Sequence, residues 1–392
     1  MAEQRVQGLE AMPSELVHKI MTHAGVRGLT ALVLTKKRFL AIFKENQATV
    51  MSTVLLRQPE FEAMLYLYTM DQREFNPGSM LYPRTIVFDA GRDDDKVISL
   101  IRSPVAFQEG KLICPRKIRF DLSDMVRLWN LTKTIEWWVE EYPRQRWRDN
   151  SEDCRCLRPS EEVRLRKALS RWWLYSHCFM GDYWRDDCLP QMWETDGRLH
   201  HIRLLSSLEV RELEDLWATL WATVSRDICS SIDRGIDIDG FLAEGLVPWG
   251  HEDGREETIV NTYLKLDPRQ LRYFIERGRR TKPKRMDTVW QARLSTRSFG
   301  CDVETMTWAM DIVLQERVMQ KPQGVIEIPL SGIIDEDHCT DQDGSFMTDG
   351  SPTGKPTLTN EEMASFPVGR RRWVGTGDDG VDDPEDAHGD SW

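Results

Sequence analysis

Apolar positions in the first fifty residues recur at spacings of three and four, which is the period of short amphipathic helices. In MPSELVHKIMTHAGVRGLTALVLTKKRFLAIF, Pro13 suits the first position of a helix and Gly25 suits its end. Gly28 lets the chain turn into a second helix around residues 29–34. A third helix is predicted to contain Phe39, Ile42 and Phe43.

Three helices of this length form a poor core by themselves, because segments below about 50 residues bury too little apolar surface for comfortable stability. The apolar face of residues 9–57 therefore needs either a partner protein or the rest of the chain to pack against.

The pattern in residues 58–334 predicts a mostly helical body with few short strands. A helix follows Pro59, and Ser206 and Glu209 have the spacing of a capping box, which satisfies backbone donors where a helix begins. Further helices are predicted over 161–180, 206–232 and 302–319, and from Asp267 to Gly278, with strands at 85–88 and 117–120. In 206–232 the apolar residues form one predicted buried stripe: Leu213, Leu216, Trp217, Leu220, Trp221, Val224 and Ile228.

The chain contains 15 tryptophans, many of them between residues 129 and 221. An aromatic surface for a ligand or a peptide is one interpretation. Tryptophans at helical spacing are more typical of a hydrophobic core, and we favour that interpretation.

Charge is distributed unevenly. The net charge is −12, and from Asp335 to the end there are 15 acidic and 4 basic residues with few aliphatic ones. Such a segment buries too little apolar surface to offset its chain entropy, so residues 335–392 are predicted to be a disordered acidic tail. The remaining chain is nearly neutral and offers no basic surface for nucleic acid. The predicted fold class is mainly α, divided into a helical adaptor (9–57), a Trp-rich body (58–334) and the tail.

Several classes of protein are excluded by what the sequence lacks. Uninterrupted apolar runs fall short of the roughly 20 residues of a membrane span, and the first residues contain no signal-peptide stretch. We expect a cytoplasmic and/or nuclear protein with reduced cysteines. Cys154, Cys156 and the adjacent His177 and Cys178 lack zinc-ligand spacing, and we expect no metal and no cofactor.

Three kinds of catalytic motif can be recognised in a sequence: a nucleophile with a base, a phosphate-binding glycine loop and a zinc-protease helix. None of these patterns occurs, so we expect an adaptor without catalytic residues of its own. An enzyme with an unrecognised site in the body would instead show a deep polar pocket with convergent titratable groups.

The N-terminal pattern resembles the F-box, in which Leu-Pro opens a helix followed by Glu-Leu-Leu, Ile, a leucine pair and a lysine–aromatic step. Residues 9–45 match it with Met12-Pro13, Glu15-Leu16-Val17, Ile20, Leu29, Leu32, Lys36-Lys37 and Phe39. Met12, Thr35 and Phe39 depart from the commonest residues of that pattern. The segment RLRKALSRWWLYSHCFMG (164–181) also resembles a stretch in F-box proteins of filamentous ascomycete fungi.

The resemblance implies a substrate-recognition adaptor of an SCF-type E3 ubiquitin ligase. Its N-terminal helices would bind a Skp1-like protein, and through it cullin, by helix-in-groove packing, while the body binds an unknown protein target. The implied Skp1-binding residues are Met12, Pro13, Leu16, Val17, Ile20, Leu29, Leu32 and Phe39. The alternative is an α-helical scaffold protein whose N-terminal helices pack internally and do not engage Skp1.

Overall fold

Helices dominate the computed structural model, which describes residues 9–70, 84–89, 96–100, 116–149, 151–180, 197–229, 260, 263–278, 306–319 and 332–334. The predicted mainly α fold with a few short strands is confirmed. The predicted acidic tail lies outside the described residues. The chain divides into two units, Met1–Leu174 and Tyr175–Trp392, and this boundary lies inside the predicted single body of residues 58–334.

The first unit begins with five short helices: α1 (Ser14–His23), α2 (Val26–Thr35), α3 (Lys37–Glu45), α4 (Gln47–Leu55) and α5 (Phe61–Thr69). Pro13 caps α1 from outside rather than occupying its first turn, and Gly25 caps the start of α2. The prediction that Gly28 forms a turn is wrong. Gly28 lies inside α2, where an added Cβ would meet the Cβ of Ala24 at 3.6 Å, an ordinary van der Waals distance, so the packing does not require a glycine there.

A three-stranded sheet follows α5. Its strands are β1 (Arg84–Phe88), β2 (Lys96–Leu100) and β3 (Arg116–Phe120), in the order β2-β1-β3. Strand β1 pairs antiparallel with β2 and parallel with β3. The rings of Phe61 and Phe120 lie 5.7 Å and 5.3 Å from that of Phe88, so aromatic packing joins α5 to the two paired strands.

Helix α6 (Leu122–Arg146) starts directly after β3, with Asp121 between them. Asp121 and Asp124 form a capping box, in which each side chain accepts a hydrogen bond from the other residue's backbone N–H. Helix α7 (Pro159–Phe179) follows and ends in the second unit. Trp138 of α6 and Trp172 of α7 are buried with their rings 5.5 Å apart, which fits the interpretation of the tryptophans as core residues.

The second unit contains α8 (Gly197–Arg203), α9 (Ser207–Thr223), a π-helical turn (Val224–Cys229), α10 (Pro268–Gly278) and α11 (Met306–Met319). The predicted capping box of Ser206 and Glu209 is present at the start of α9. Helix α10 begins at Pro268 and ends at Gly278, as predicted. The predicted single helix over 206–232 is replaced by α9 and the π-helical turn.

The predicted buried stripe of α9 is largely confirmed. Leu213, Leu216, Trp217, Leu220 and Val224 are all less than 5% exposed. Trp221 is the exception among the described side chains of the stripe, because 39% of it faces solvent, and the side chain of Ile228 lies outside the described residues. Trp221 lies four residues after the buried Trp217, so helical spacing does not explain its exposure, which depends on the neighbours that the end of α9 meets.

Candidate protein-docking surface

Helix α1 presents apolar side chains in two directions. Val17 and Met21 are buried against the neighbouring helices, with at most 1% of either residue exposed. Leu16 and Ile20 precede them by one residue each and are 49% and 36% exposed. Met12, four residues before Leu16, is half-buried. Because residues four apart lie on one face of a helix, Leu16 and Ile20 form an outward stripe along α1, and Met12 lies just before the start of the helix.

The predicted docking residues divide into surface and interior positions. Pro13, Leu16 and Ile20 are exposed, and Met12 and Leu32 are half-buried. The other three side chains lie inside the first unit, at 1–3% exposure: Val17, Leu29 and Phe39. These three support the surface from beneath, and in this structure they present no area that a partner could contact directly.

Further apolar residues at the surface of the N-terminal helices were missed by the sequence pattern. Leu34 near the end of α2 is 79% exposed, and Leu40 of α3 and Leu9 are 37% and 44% exposed. The Arg38 guanidinium donates to the carbonyl oxygen of Met12 at 2.6 Å, which holds the start of α3 beside the start of α1. Helical spacing groups apolar residues by face, but it does not identify which face the fold leaves uncovered.

The opposite side of the N-terminal helices is attached to α6. Val26 and Leu29 of α2 are buried, and Arg27 reaches across to α6. The Arg27 Nε lies 2.8 Å from the Glu136 carboxylate, and other guanidinium nitrogens contact the Glu136 carbonyl and the Glu140 carboxylate. The N-terminal helices are therefore part of the first unit's packing, with one face inward and one outward.

A cluster of charges joins α5, α6 and α7 behind this surface. Arg166 of α7 is buried and contacts three carboxylates: Glu60 at 3.3 Å, Glu136 at 2.8 Å and Glu162 at 2.7 Å. Burial alone would lower the pKa of Arg166, but the Glu60 and Glu136 carboxylates reverse this and raise it. Arg166 therefore remains a cation held by its surroundings.

Glu60 is the most confined carboxyl of this charge cluster. It is 1% exposed, and its Oε2 has no hydrogen-bond partner among the described residues. Desolvation raises the pKa of Glu60 to about 7, although the Arg166 guanidinium favours the charged form. A protonated Glu60 relieves the surplus of negative charge around one buried guanidinium.

The described part of the chain contains no cluster of metal ligands and no membrane-spanning helix. None of its groups of histidine, cysteine, aspartate or glutamate side chains assembles three ligands for a metal ion. None of its helices is both long and apolar enough to cross a membrane.

Comparison with known proteins adds no relative. No protein-family model matches the chain, and no curated protein and no solved structure matches it.

Proposed function

We propose that this protein is the substrate-recognition adaptor of an SCF-type ubiquitin ligase, and that it binds a Skp1-like protein through the outward stripe of α1. The observation that supports the proposal is the exposure of Leu16 and Ile20 on a helix whose other face is fully packed. A contiguous apolar surface on an anchored helix is typical of helix-in-groove recognition.

The proposed contact set is narrower than the one that the sequence resemblance implies. Met12, Pro13, Leu16 and Ile20 would enter the partner's groove, with Leu32 at the edge. Val17, Leu29 and Phe39 would act through the packing that holds α1, α2 and α3 together, since their side chains are buried. The adaptor supplies proximity between a bound target and the ligase and needs no catalytic residue of its own.

The test is co-purification of the full chain with a co-expressed Skp1-like protein, followed by a binding titration. We expect Ile20→Asp to weaken binding by at least about 2 kcal/mol, roughly thirtyfold in Kd, because it would bury a charge in an apolar interface. Folding should change by less than about 1 kcal/mol, since the new carboxylate is solvated in the unbound chain. Thermal unfolding of the purified variant measures that second quantity.

Val126→Asp is a matched control. Val126 is an apolar residue of α6 in the same unit and is 39% exposed, close to the 36% of Ile20. We expect this variant to bind as the wild type does. Equal recovery of the Skp1-like protein by Ile20→Asp and wild type would contradict the proposal. Point variants are preferable to deleting residues 1–50. Helix α1 packs against α4 and α2 packs against α6, so the deletion would expose side chains that are buried in these contacts.

The second candidate function is a scaffold protein whose N-terminal helices serve only internal packing. The attachment of α2 to α6 through Arg27, Glu136 and Glu140 favours it. The two functions differ in one measurable respect, which is whether the outward stripe of α1 is covered by another protein. A chain that recovers no Skp1-like protein while a known F-box protein does would favour the scaffold.

A further inference from the structure

The segment between α6 and α7 holds two cysteines at the protein surface. Cys154 and Cys156 are both exposed free thiols. Cys178, near the end of α7, is a thiol that is only 3% exposed. The two exposed thiols are separated by a single residue, Arg155.

Arg155 is fixed to the protein. Its Nη1 and Nη2 donate to the two carboxylate oxygens of Glu161 at 2.6 Å each, and the Glu161 side chain is fully buried. The guanidinium also lies over the Trp147 ring, 5.2 Å from its centroid. Glu161 further accepts a hydrogen bond from the Arg158 backbone N–H at 2.7 Å. A bidentate contact of this kind restricts both the position and the orientation of the Arg155 guanidinium.

This anchoring restrains the residue that separates the two thiols. The side chain between them is held to the protein, and the Arg155 Nη1 also donates to the Cys156 carbonyl oxygen at 3.2 Å. Two Cα atoms separated by one residue are at most about 7 Å apart, and disulfides span roughly 4.4–6.8 Å between Cα atoms. Closing a bond between Cys154 and Cys156 therefore needs only a local adjustment of the backbone.

We propose that Cys154 and Cys156 form an oxidant-sensitive dithiol, which a hydroperoxide converts to an intrachain disulfide. One thiolate attacks the peroxide O–O bond and becomes a sulfenic acid, and the hydroxide or alkoxide that leaves takes a proton from solvent to become water or an alcohol. The second thiolate attacks that sulfur and expels hydroxide, which is protonated to water. In the net reaction, two thiols and one hydroperoxide give a disulfide, one water, and a second water or an alcohol.

The neighbouring thiol is what distinguishes this pair from a single surface cysteine. A second thiol held one residue away captures the sulfenic acid at high effective concentration, before further oxidation or reaction with another molecule. Cys178 is buried and is not expected to react at a comparable rate in the folded chain.

The experiment uses the position of Arg155, since trypsin cleaves after it and so separates the two cysteines. The folded full-length chain is treated with hydrogen peroxide, free thiols are alkylated, and the digest is analysed by mass spectrometry without reduction. We expect peptides 149–155 and 156–164 joined by a disulfide that reductant releases. In an equimolar mixture of 15N-labelled and unlabelled protein, the joined peptides should be entirely light or entirely heavy.

Serine variants are the controls. Cys154→Ser and Cys156→Ser should each lose the joined peptide completely. Mixed light and heavy joined peptides would show a bond between two molecules and would overturn the proposal. Free or sulfinic Cys154 and Cys156, under conditions that leave no joined peptide, would overturn it as well.

Arg155→Lys tests the role of the anchor, because lysine preserves the tryptic site but cannot contact Glu161 through two prongs. We expect disulfide formation to slow in this variant, measured at a temperature at which thermal unfolding shows that both the variant and the wild type are folded. An unchanged rate would show that Arg155 does not present the thiols, and that part of the proposal would fall.

Discussion

Each unit of the molecule buries an arginine against glutamate, but the two sites balance their charges differently. In the second unit, Arg203 of α8 forms a bidentate buried pair with Glu316 of α11, with Nε–Oε2 and Nη2–Oε1 distances of 3.0 Å and 2.5 Å. In the first unit, Arg166 is shared by Glu60, Glu136 and Glu162. The first site holds more carboxylates than cations at its centre, and the second is neutral as a pair.

The two sites should therefore respond differently to the loss of a charged side chain. A buried pair depends on both partners, because removing either leaves an uncompensated charge in the interior. A shared arginine tolerates the loss of one carboxylate, since others remain, but its surplus negative charge must be relieved. Protonation of the most buried carboxyl is the simplest relief, and Glu60 has the raised pKa that this requires.

The largest expected effect follows from breaking the balanced pair. Arg203→Met should destabilise the folded protein by about 3–5 kcal/mol, because Glu316, which is 2% exposed, keeps its charge without the guanidinium. Denaturant unfolding measures the loss. The double variant Arg203→Met/Glu316→Met should recover most of it, and a double variant as unstable as the single one would show that packing, rather than charge, dominates this site.

The unbalanced site should respond to pH. The folded pKa of Glu60, about 7, exceeds the ordinary value of 4.5, so between these values the folded chain holds a proton that the unfolded chain has lost. The stabilisation from that proton is complete below about pH 4.5 and is lost as the pH rises through about 7, up to a limit of about 3 kcal/mol.

Glu60→Gln isolates this contribution. The amide cannot ionise, so the variant should lose less stability than the wild type between pH 5 and pH 8. Unfolding free energies at several pH values, measured for both proteins under one salt concentration, give the comparison. Parallel curves for wild type and variant would rule out Glu60 as the group that titrates.

The smallest effect is expected at the periphery of the first site. Arg27 and Glu140 are 44% and 49% exposed, so their contact should contribute less than about 1 kcal/mol. A double-mutant cycle of Arg27→Ala and Glu140→Ala measures this coupling, and added salt should reduce it further. A coupling energy as large as the stability loss expected for Arg203→Met would show that this exposed pair stabilises the fold as much as a buried pair does.

Local features of the fold were predictable from the sequence. The capping box of Ser206 and Glu209 uses residues three apart. The start of α10 depends on Asp267, Pro268 and Gln270, and the helix ends at Gly278. The mainly α class follows from periodicity in the same way, because a helix's own residues determine its spacing of apolar positions.

The charged sites and the exposed faces were not predictable by that means. Arg166 and Glu60 are 106 residues apart in sequence, and Arg203 and Glu316 are 113 apart, so only the fold brings them together. Periodicity groups Leu16 with Val17 and Trp217 with Trp221, yet one member of each group is buried and the other exposed. The division depends on which neighbours each helix meets. The F-box interpretation itself stays a prediction.

The capping box at the start of α6 limits where residues can be inserted into or deleted from this part of the chain. Asp121 alone connects β3 to the helix, and its bond with Asp124 fixes the residue at which the helix begins. One additional residue between β3 and this cap could be absorbed as a longer connection. An insertion just inside the helix would instead turn every following side chain by about 100°, moving Glu136 away from Arg166 and Trp138 away from Trp172. Tolerated changes within α6 should therefore be substitutions, and tolerated insertions and deletions should lie outside the helix.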